Sequence, residues 1–255
     1  MKISIGSRQL AYESVGSGPV LVLLHAFPFD SRMWHKTAAA LAGQRRVITP
    51  DMRGFGLSDL GSGGSSIADL ADDVASLLDA LNLPAATVGG MSMGGYVALA
   101  FARRHRDRLK SLVLADTKAA ADTPEARQGR EAAIALVEQQ GVPALLEKQI
   151  PRLLSASASD SLRAEVRALG AQSPEAIIAA IRALRDRPDR TAELPEIAVP
   201  TLVVVGSDDA LSSPAEARVM AAAMPDARVV EIPGAAHLSN LENPDAFSAA
   251  LAGFA

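Results

Sequence analysis

Gly89-Gly90-Met91-Ser92-Met93-Gly94-Gly95 is the stretch on which the reading of this chain turns. It contains Gly-x-Ser-x-Gly at Gly90, Ser92 and Gly94. The bare match is weak, because small residues are common; its setting carries more. Residues 86–89 read as a short strand, and residues 94–104 read as a helix. A serine on a sharp strand-to-helix turn is the setting of a nucleophile elbow. Glycines on both sides suit such a turn, because a neighbouring Cβ would crowd it. The hydroxyl then stands above the C-terminal edge of a sheet, near a helix N-terminus that favours negative charge. The plainer alternative is a glycine-rich helix start with a capping serine.

Outward from this turn, strands and helices alternate. Residues 2–5 and 9–15 read as a strand pair joined at Gly6-Ser7. Residues 19–24 hold Val20, Leu21, Val22, Leu23 and Leu24, a continuous apolar run suited to a strand buried on both faces. Further strands are expected at 46–49, 109–115, 201–205 and 227–232. Residues 67–81 place Ile67, Leu70, Ala71, Val74, Leu77, Leu78 and Leu81 on one helical stripe, with Asp69, Asp72, Asp73 and Asp79 opposite. Helices are also expected at 214–224 and 244–253, each opening on a proline. This alternation implies an α/β fold built on a mainly parallel eight-stranded sheet flanked by helices. Residues 117–195 break the pattern. They read as Ala/Leu/Glu/Arg-rich helices at about 123–140, 142–154, 160–169 and 174–187, an insertion between core segments 1–116 and 196–255.

Composition narrows the function. The chain has 255 residues, enough for one α/β domain with an insertion. It has no cysteine, which excludes disulfides, thiolate metal sites and a cysteine nucleophile. Lys+Arg 25 against Asp+Glu 29 gives net −4, which argues against nucleic acid or an anionic membrane as partner. No apolar run is long enough for a membrane span, and Met1-Lys2-Ile3-Ser4-Ile5 reads as a strand, not a secretion signal. A cytoplasmic enzyme is the default expectation. The Ala-rich helices leave monomer and homodimer both open.

A serine nucleophile needs a base, and the chain offers four histidines. His105 sits in a basic helix end, and His35 in a helix beside Trp34. His25 directly follows the strand at 19–24. His237 lies in Gly234-Ala235-Ala236-His237-Leu238, on a small-residue loop after the last strand. Such a loop brings a base within reach of Ser92, so His237 is the choice. A third group must orient the imidazole. The strand at 201–205 ends in Gly206-Ser207-Asp208-Asp209, where either acid could serve. The chain order serine, acid, histidine is the one expected on this kind of sheet.

With these residues in place, the sequence resembles the α/β-hydrolase superfamily over nearly its whole length. Four motifs carry the resemblance. They are His25-Ala26-Phe27-Pro28, Asp51-Met52-Arg53-Gly54-Phe55-Gly56-Leu57-Ser58, the turn at Ser92, and Gly206-x-x-Asp209 with His237 and Glu242-Asn243-Pro244. They are specific for the fold and much less so for the substrate. The resemblance implies a helical cap over the site at 117–195. It selects Asp209 over Asp208, with Asp116 in the place where some relatives carry the acid. It also implies backbone N–H groups of Phe27 and Met93 as oxyanion donors, with Ala26 where the family usually has glycine. His25, Asp51, Arg53 and Ser58 then fix loops.

The resemblance prunes the chemistry too. Ser92 excludes the aspartate route of haloalkane dehalogenases, and Met91 argues mildly against carbon–carbon bond hydrolases. The nearest likeness is to small carboxylesterases and 3-oxoadipate enol-lactonases, with cofactor-free haloperoxidase-like esterases beside them. The expectation is a serine hydrolase of small carboxylic esters, with no metal or organic cofactor. An enol-lactonase and a ligand-binding protein on a hydrolase scaffold are the alternatives. A carboxylate-bearing lactone would want a cationic pocket residue, and the cap offers arginines at 127, 130, 152, 163, 167, 182 and 185. Phe27, Phe29, Trp34 and Met93 are expected to line the pocket. Of the cap residues Leu136, Val137, Leu145, Leu146, Ile150 and Leu154, most are expected to pack internally.

Overall fold

The run Val20–Leu24 has no polar face to offer water, so layers must cover it on both sides. The computed structural model describes residues 1–61 and 65–254. In it this run is the third strand of a sheet sandwiched between helices. The chain runs β1 (Lys2–Ile5), β2 (Arg8–Val15), β3 (Val20–Leu24), α1 (His35–Leu41), β4 (Arg46–Pro50), α2 (Ile67–Ala80), β5 (Ala86–Met91), α3 (Met93–Arg104) and β6 (Leu109–Ala115). It continues through α4 (Pro124–Leu153), α5 (Asp160–Leu169), α6 (Pro174–Arg185), β7 (Thr201–Gly206), α7 (Pro214–Ala222), β8 (Ala227–Ile232), α8 (Ser239–Glu242) and α9 (Pro244–Ala252).

The strands form one sheet in the order β1-β2-β4-β3-β5-β6-β7-β8. β2 pairs antiparallel with β1 and β4, and the remaining pairs are parallel. This is the α/β-hydrolase fold. β3 lies between β4 and β5. The chain therefore leaves β3 to one side and later returns on the other. That reversal opens a crevice beyond the C-terminal ends of β3 and β5. Phe27 follows β3 and Ser92 follows β5, so the topology alone brings them to the crevice.

Helix α2 shows how the apolar stripe becomes packing. Ile67, Leu70, Ala71, Val74, Leu77 and Leu78 are all buried, and Ser66 and Asp69 close a capping box at its start. One acid departs from the expected solvent face. Asp73 is buried, and its carboxylate takes two hydrogen bonds from Arg53, at 2.8 and 2.9 Å, and one from Arg8 at 2.7 Å. A buried carboxylate persists only when paired in this way, and the partners come from distant segments.

Among the described residues, 117–195 contain no strand. α4 is broken at Gly141, whose φ of 79° is left-handed, so it is two helical arms meeting where the sequence divides 123–140 from 142–154. Several polar contacts tie the insertion to the sheet domain. Gln172 bridges Asp30 and the Gly56 N–H, and the Ser155 N–H donates to Glu242. Residues 239–242 form the short helix α8.

α3 packs hard against the end of β3. A Cβ on Gly94 would lie 2.2 Å from the Leu24 carbonyl oxygen and 2.9 Å from that of His25. Neither is a flexible side chain that can yield. Gly94→Ala is expected to destabilise the protein by about 1–3 kcal/mol, measured by urea denaturation; wild-type stability would show that the helix is not held this closely.

Candidate active site

Ser92 occupies the turn between β5 and α3 with φ 52° and ψ −111°. A non-glycine residue there is strained by about 1–3 kcal/mol. The turn is held from both sides. The Ser92 N–H donates to the Ala115 carbonyl at 2.9 Å, while its own carbonyl accepts from Gly95, Tyr96 and the Thr117 hydroxyl. Gly90 is required by contact: a Cβ there would meet the Gly94 carbonyl oxygen at 2.0 Å. The positive φ falls on the serine itself, which throws its side chain clear of the helix.

His237 Nε2 lies 2.8 Å from Ser92 Oγ, and His237 Nδ1 lies 2.8 Å from Asp209 Oδ2. A carboxylate only accepts, so Nδ1–H donates to Asp209, and Nε2 is left to accept from the serine hydroxyl. Asp209 is itself fixed: its Oδ1 accepts the N–H groups of Leu211 at 2.7 Å and Ser212 at 3.1 Å. Asp208 is exposed and accepts from Ser207. Asp116 does not reach the imidazole. Its carboxyl meets the Gly206 N–H and the Ser239 hydroxyl.

The other histidines lie elsewhere. His35 faces Glu13, and His105 faces Asp72. His25 is buried under the crevice, where its Nε2 accepts the Met52 N–H at 2.9 Å and its Nδ1–H donates to the Ala26 carbonyl. Asp51 Oδ1 accepts from the Ser31 N–H and Oδ2 from the Leu57 N–H, and the Ser58 hydroxyl donates to the Asp51 carbonyl. All three hold loop backbone. Neither the Phe27 nor the Met93 N–H donates to another described residue, and Met93 opens α3, whose N-terminal dipole favours an anion.

A cavity of about 610 Å³ rises from Ser92 and His237 into the helical insertion, within the usual range of small-molecule sites. Phe27, Leu136 and Leu145 line it. Phe29 and Trp34 do not: both are buried in the sheet domain. The Phe29 N–H turns back to the Ala26 carbonyl, and Trp34 packs on Phe247 of α9 with ring centroids 5.8 Å apart. The Met93 side chain is also buried and only its N–H is left for the site. Val137, Leu146, Ile150 and Leu154 pack internally.

The lining also includes residues the sequence did not single out, among them Tyr96, Lys118, Asp122 and Lys148. Tyr96 follows Ser92 by one helical turn and Lys118 follows β6 closely, so their places at the sheet's C-terminal edge were the available signal. Four cations, Lys118, Arg130, Lys148 and Arg152, face two carboxylates, Asp122 and Glu125. Asp122 is already spent on Arg130 at 3.0 Å and the buried Arg187 at 2.7 Å. Burial raises its pKa, but the two arginines outweigh that and hold it below the ordinary value. Arg187 also lies 4.1 Å over the Tyr96 ring. Among the described residues, Lys118, Lys148 and Arg152 have no carboxylate within ion-pair distance. No cluster of three or more His, Asp or Glu among the described residues is placed to hold a metal ion. No described helix is long and apolar enough to cross a membrane.

Burial holds the His25 imidazole pKa below its ordinary value, against the pull of the Ala26 carbonyl, Asp51 and Asp30. The unfolded chain takes up this proton near pH 6.5 and the folded chain only at lower pH. Stability from this group is therefore full above about pH 6.5 and is lost as the pH falls below it. His25→Gln is expected to flatten the dependence between about pH 5 and 7 by up to about 1.4 kcal/mol per pH unit. Urea denaturation across that range checks this, and an unchanged slope would contradict it.

Comparison with known proteins agrees with the fold. Residues 21–250 match the model of the Alpha/beta hydrolase family. The 3-oxoadipate enol-lactonase 1 of Acinetobacter baylyi is 31% identical over 242 residues, covering 93% of this chain and 89% of that protein. A thermophilic esterase from Thermogutta terrifontis, solved with malate bound, is similar at TM-score 0.94 and 39% identity, covering 98% of this chain and 96% of that one. The enol-lactonase from Burkholderia xenovorans is similar at TM-score 0.92 and 32% identity, covering 100% of this chain and 99% of that one. On the sheet order, the turn at Ser92 and a match spanning most of its length, this chain belongs to the alpha/beta hydrolase family.

Proposed function

We propose that this protein is a serine hydrolase that cleaves small carboxylic esters through an acyl-enzyme. The observation that carries the reading is the hydrogen-bonded chain Ser92–His237–Asp209, with both contacts at 2.8 Å, at the base of a substrate-sized cavity. Ser92 Oγ attacks the ester carbonyl carbon while its proton passes to His237 Nε2. The negative charge that develops on the carbonyl oxygen is held by the N–H groups of Phe27 and Met93. Each such donor is worth about 3–4 kcal/mol in the transition state. The carbon–oxygen bond to the alcohol then breaks, and His237 returns the proton to the leaving oxygen. Water enters, gives its proton to His237 and attacks the acyl group. Collapse returns that proton to Ser92 and frees the acid. Asp209 stays ionised and holds the imidazole in the required tautomer. The chemistry needs no metal or organic cofactor. Residues 117–195 act as the cap that encloses the acyl group, and the esterase and enol-lactonases among the similar proteins support acyl–oxygen cleavage.

A second reading, hydrolysis of a carboxylate-bearing enol-lactone, is favoured by the charge of the lining. Lys118, Lys148 and Arg152 bring positive charge without carboxylates of their own. In a partly dry cavity, pairing one of them with a substrate carboxylate is worth more than at an open surface. Lys118 is the strongest candidate, because it is half-buried and follows the turn of Thr117 that holds the Ser92 carbonyl.

Ser92→Ala is expected to fold normally and to lose at least about 10³-fold in kcat on activated esters. Wild-type turnover by that variant would sink the proposal. Lys118→Ala is expected to lower kcat/KM about tenfold for lactones or esters bearing a carboxylate, while leaving neutral p-nitrophenyl esters within about twofold. An equal loss on both substrate types would count against the anionic reading and leave the ester reading intact.

A further inference from the structure

A second buried acid sits beneath the site and does not touch the reacting atoms. Asp116 directly follows β6, between β5, which delivers Ser92, and β7, which delivers Asp209. It is fully buried and has a φ of 44°, a left-handed conformation that a residue with a Cβ rarely adopts. Its N–H donates to the Val204 carbonyl at 2.9 Å, which fixes its backbone to β7. Its Oδ1 accepts the Gly206 N–H at 2.8 Å, and its Oδ2 meets the Ser239 hydroxyl. Gly206 opens the turn that carries Asp209, and the Asp209 N–H closes that turn on the Gly206 carbonyl at 3.1 Å. Ser239 lies two residues beyond His237. One carboxyl thus spans the two loops whose spacing decides whether acid and imidazole meet.

We propose that Asp116 is a positioning residue, a buried bracket that sets the separation of the Asp209 turn and the His237 loop and so maintains the Asp209–His237 hydrogen bond. The proposal rests on the reading of Ser92, His237 and Asp209 given above. The charges facing Asp116 explain how two acids coexist so close together. Burial first, then the charge of Asp209 and more weakly that of Glu242, raise its pKa well above the ordinary carboxylate value, against the hydrogen bonds from Ser239 and Gly206. That shift favours the protonated form of Asp116, which lessens its repulsion of Asp209. An asparagine side chain has one acceptor and one donor to place at the same two contacts. Its carbonyl would accept from Gly206, and its amide would donate to the Ser239 oxygen.

The test compares Asp116→Asn, Asp116→Ala and Ser239→Ala in steady-state hydrolysis of an activated ester, with Ser92→Ala in parallel and thermal melting as the check on folding. Asp116→Ala is expected to lose about 10²-fold in kcat with KM within about threefold of wild type, because a misplaced base impairs chemistry and not binding. Asp116→Asn is expected to keep kcat within about threefold, since it preserves both contacts. Ser239→Ala, which cuts one arm of the bracket, is expected to lose about tenfold in kcat and carries the test if Asp116→Ala does not fold. The bracket is overturned if Asp116→Ala or Ser239→Ala folds with wild-type kcat, or if Asp116→Asn falls as far as Asp116→Ala. Failure of the underlying reading looks different: there Ser92→Ala itself remains active.

Discussion

The structure depends on holding one serine in a backbone conformation that serine does not favour. Ser92 sits at φ 52° because every neighbour denies it an alternative. β6 takes its N–H, α3 and Thr117 take its carbonyl, and Gly90 and Gly94 let the flanking segments close to distances no side chain would permit. The cost is of the order of 1–3 kcal/mol, and the packing of the parallel sheet supplies it. In return the hydroxyl stands clear of α3 with the helix N-terminus beside it. The other two members arrive from β7 and β8 at the same sheet edge. Parallel strands end together, so residues far apart in the chain converge without any long loop.

Around this point polar groups do two kinds of work. Ser92 and His237 line the cavity, and Asp209 lies behind the imidazole, so the three make one hydrogen-bonded line. His25, Asp51, Asp116 and Glu242 hold backbone N–H groups or loops in place, and the first three do so in buried surroundings. The division is enforced by burial. Asp209 accepts the N–H groups of Leu211, Ser212 and the His237 ring. Asp116 accepts one N–H and meets one hydroxyl, and burial together with the nearby Asp209 raises its pKa well above the ordinary carboxylate value. The cavity above is apolar near Phe27 and the Leu136–Leu145 side and cationic elsewhere. A substrate with an acyl portion and a distant negative group would match both parts.

The fold and most of the site were legible in the sequence because their signals are local. Val20–Leu24 declared a doubly covered strand, and Gly141 marked the break in α4. Ser92 was legible from its strand–turn–helix setting, and His237 from a shortage of competing histidines. Asp208 and Asp209 could not be separated by residue type alone; the turn closed on Gly206 aims one inward and leaves the other in solvent. Phe29 and Trp34 were misplaced because their partners are distant: Phe247 lies near the other end of the chain, and nothing beside Trp34 announces it. Asp73 misled for the same reason, since helical spacing does not reveal an Arg53 and Arg8 waiting on the buried side. The cationic lining was only half visible. The arginines of the insertion could be counted, but which of them turn inward is decided by α4 and by Asp122, which holds Arg130 and Arg187 together.

The central claim is that Ser92 becomes a nucleophile because His237 takes its proton. The most direct measurement is the rate and position of reaction with a fluorophosphonate, read by intact mass and peptide mapping in the wild type and in His237→Ala. One adduct per chain on Ser92, formed at least about 10³-fold more slowly without His237, is the predicted result. An adduct on another residue, or labelling of Ser92 at the wild-type rate in the absence of the imidazole, would contradict it.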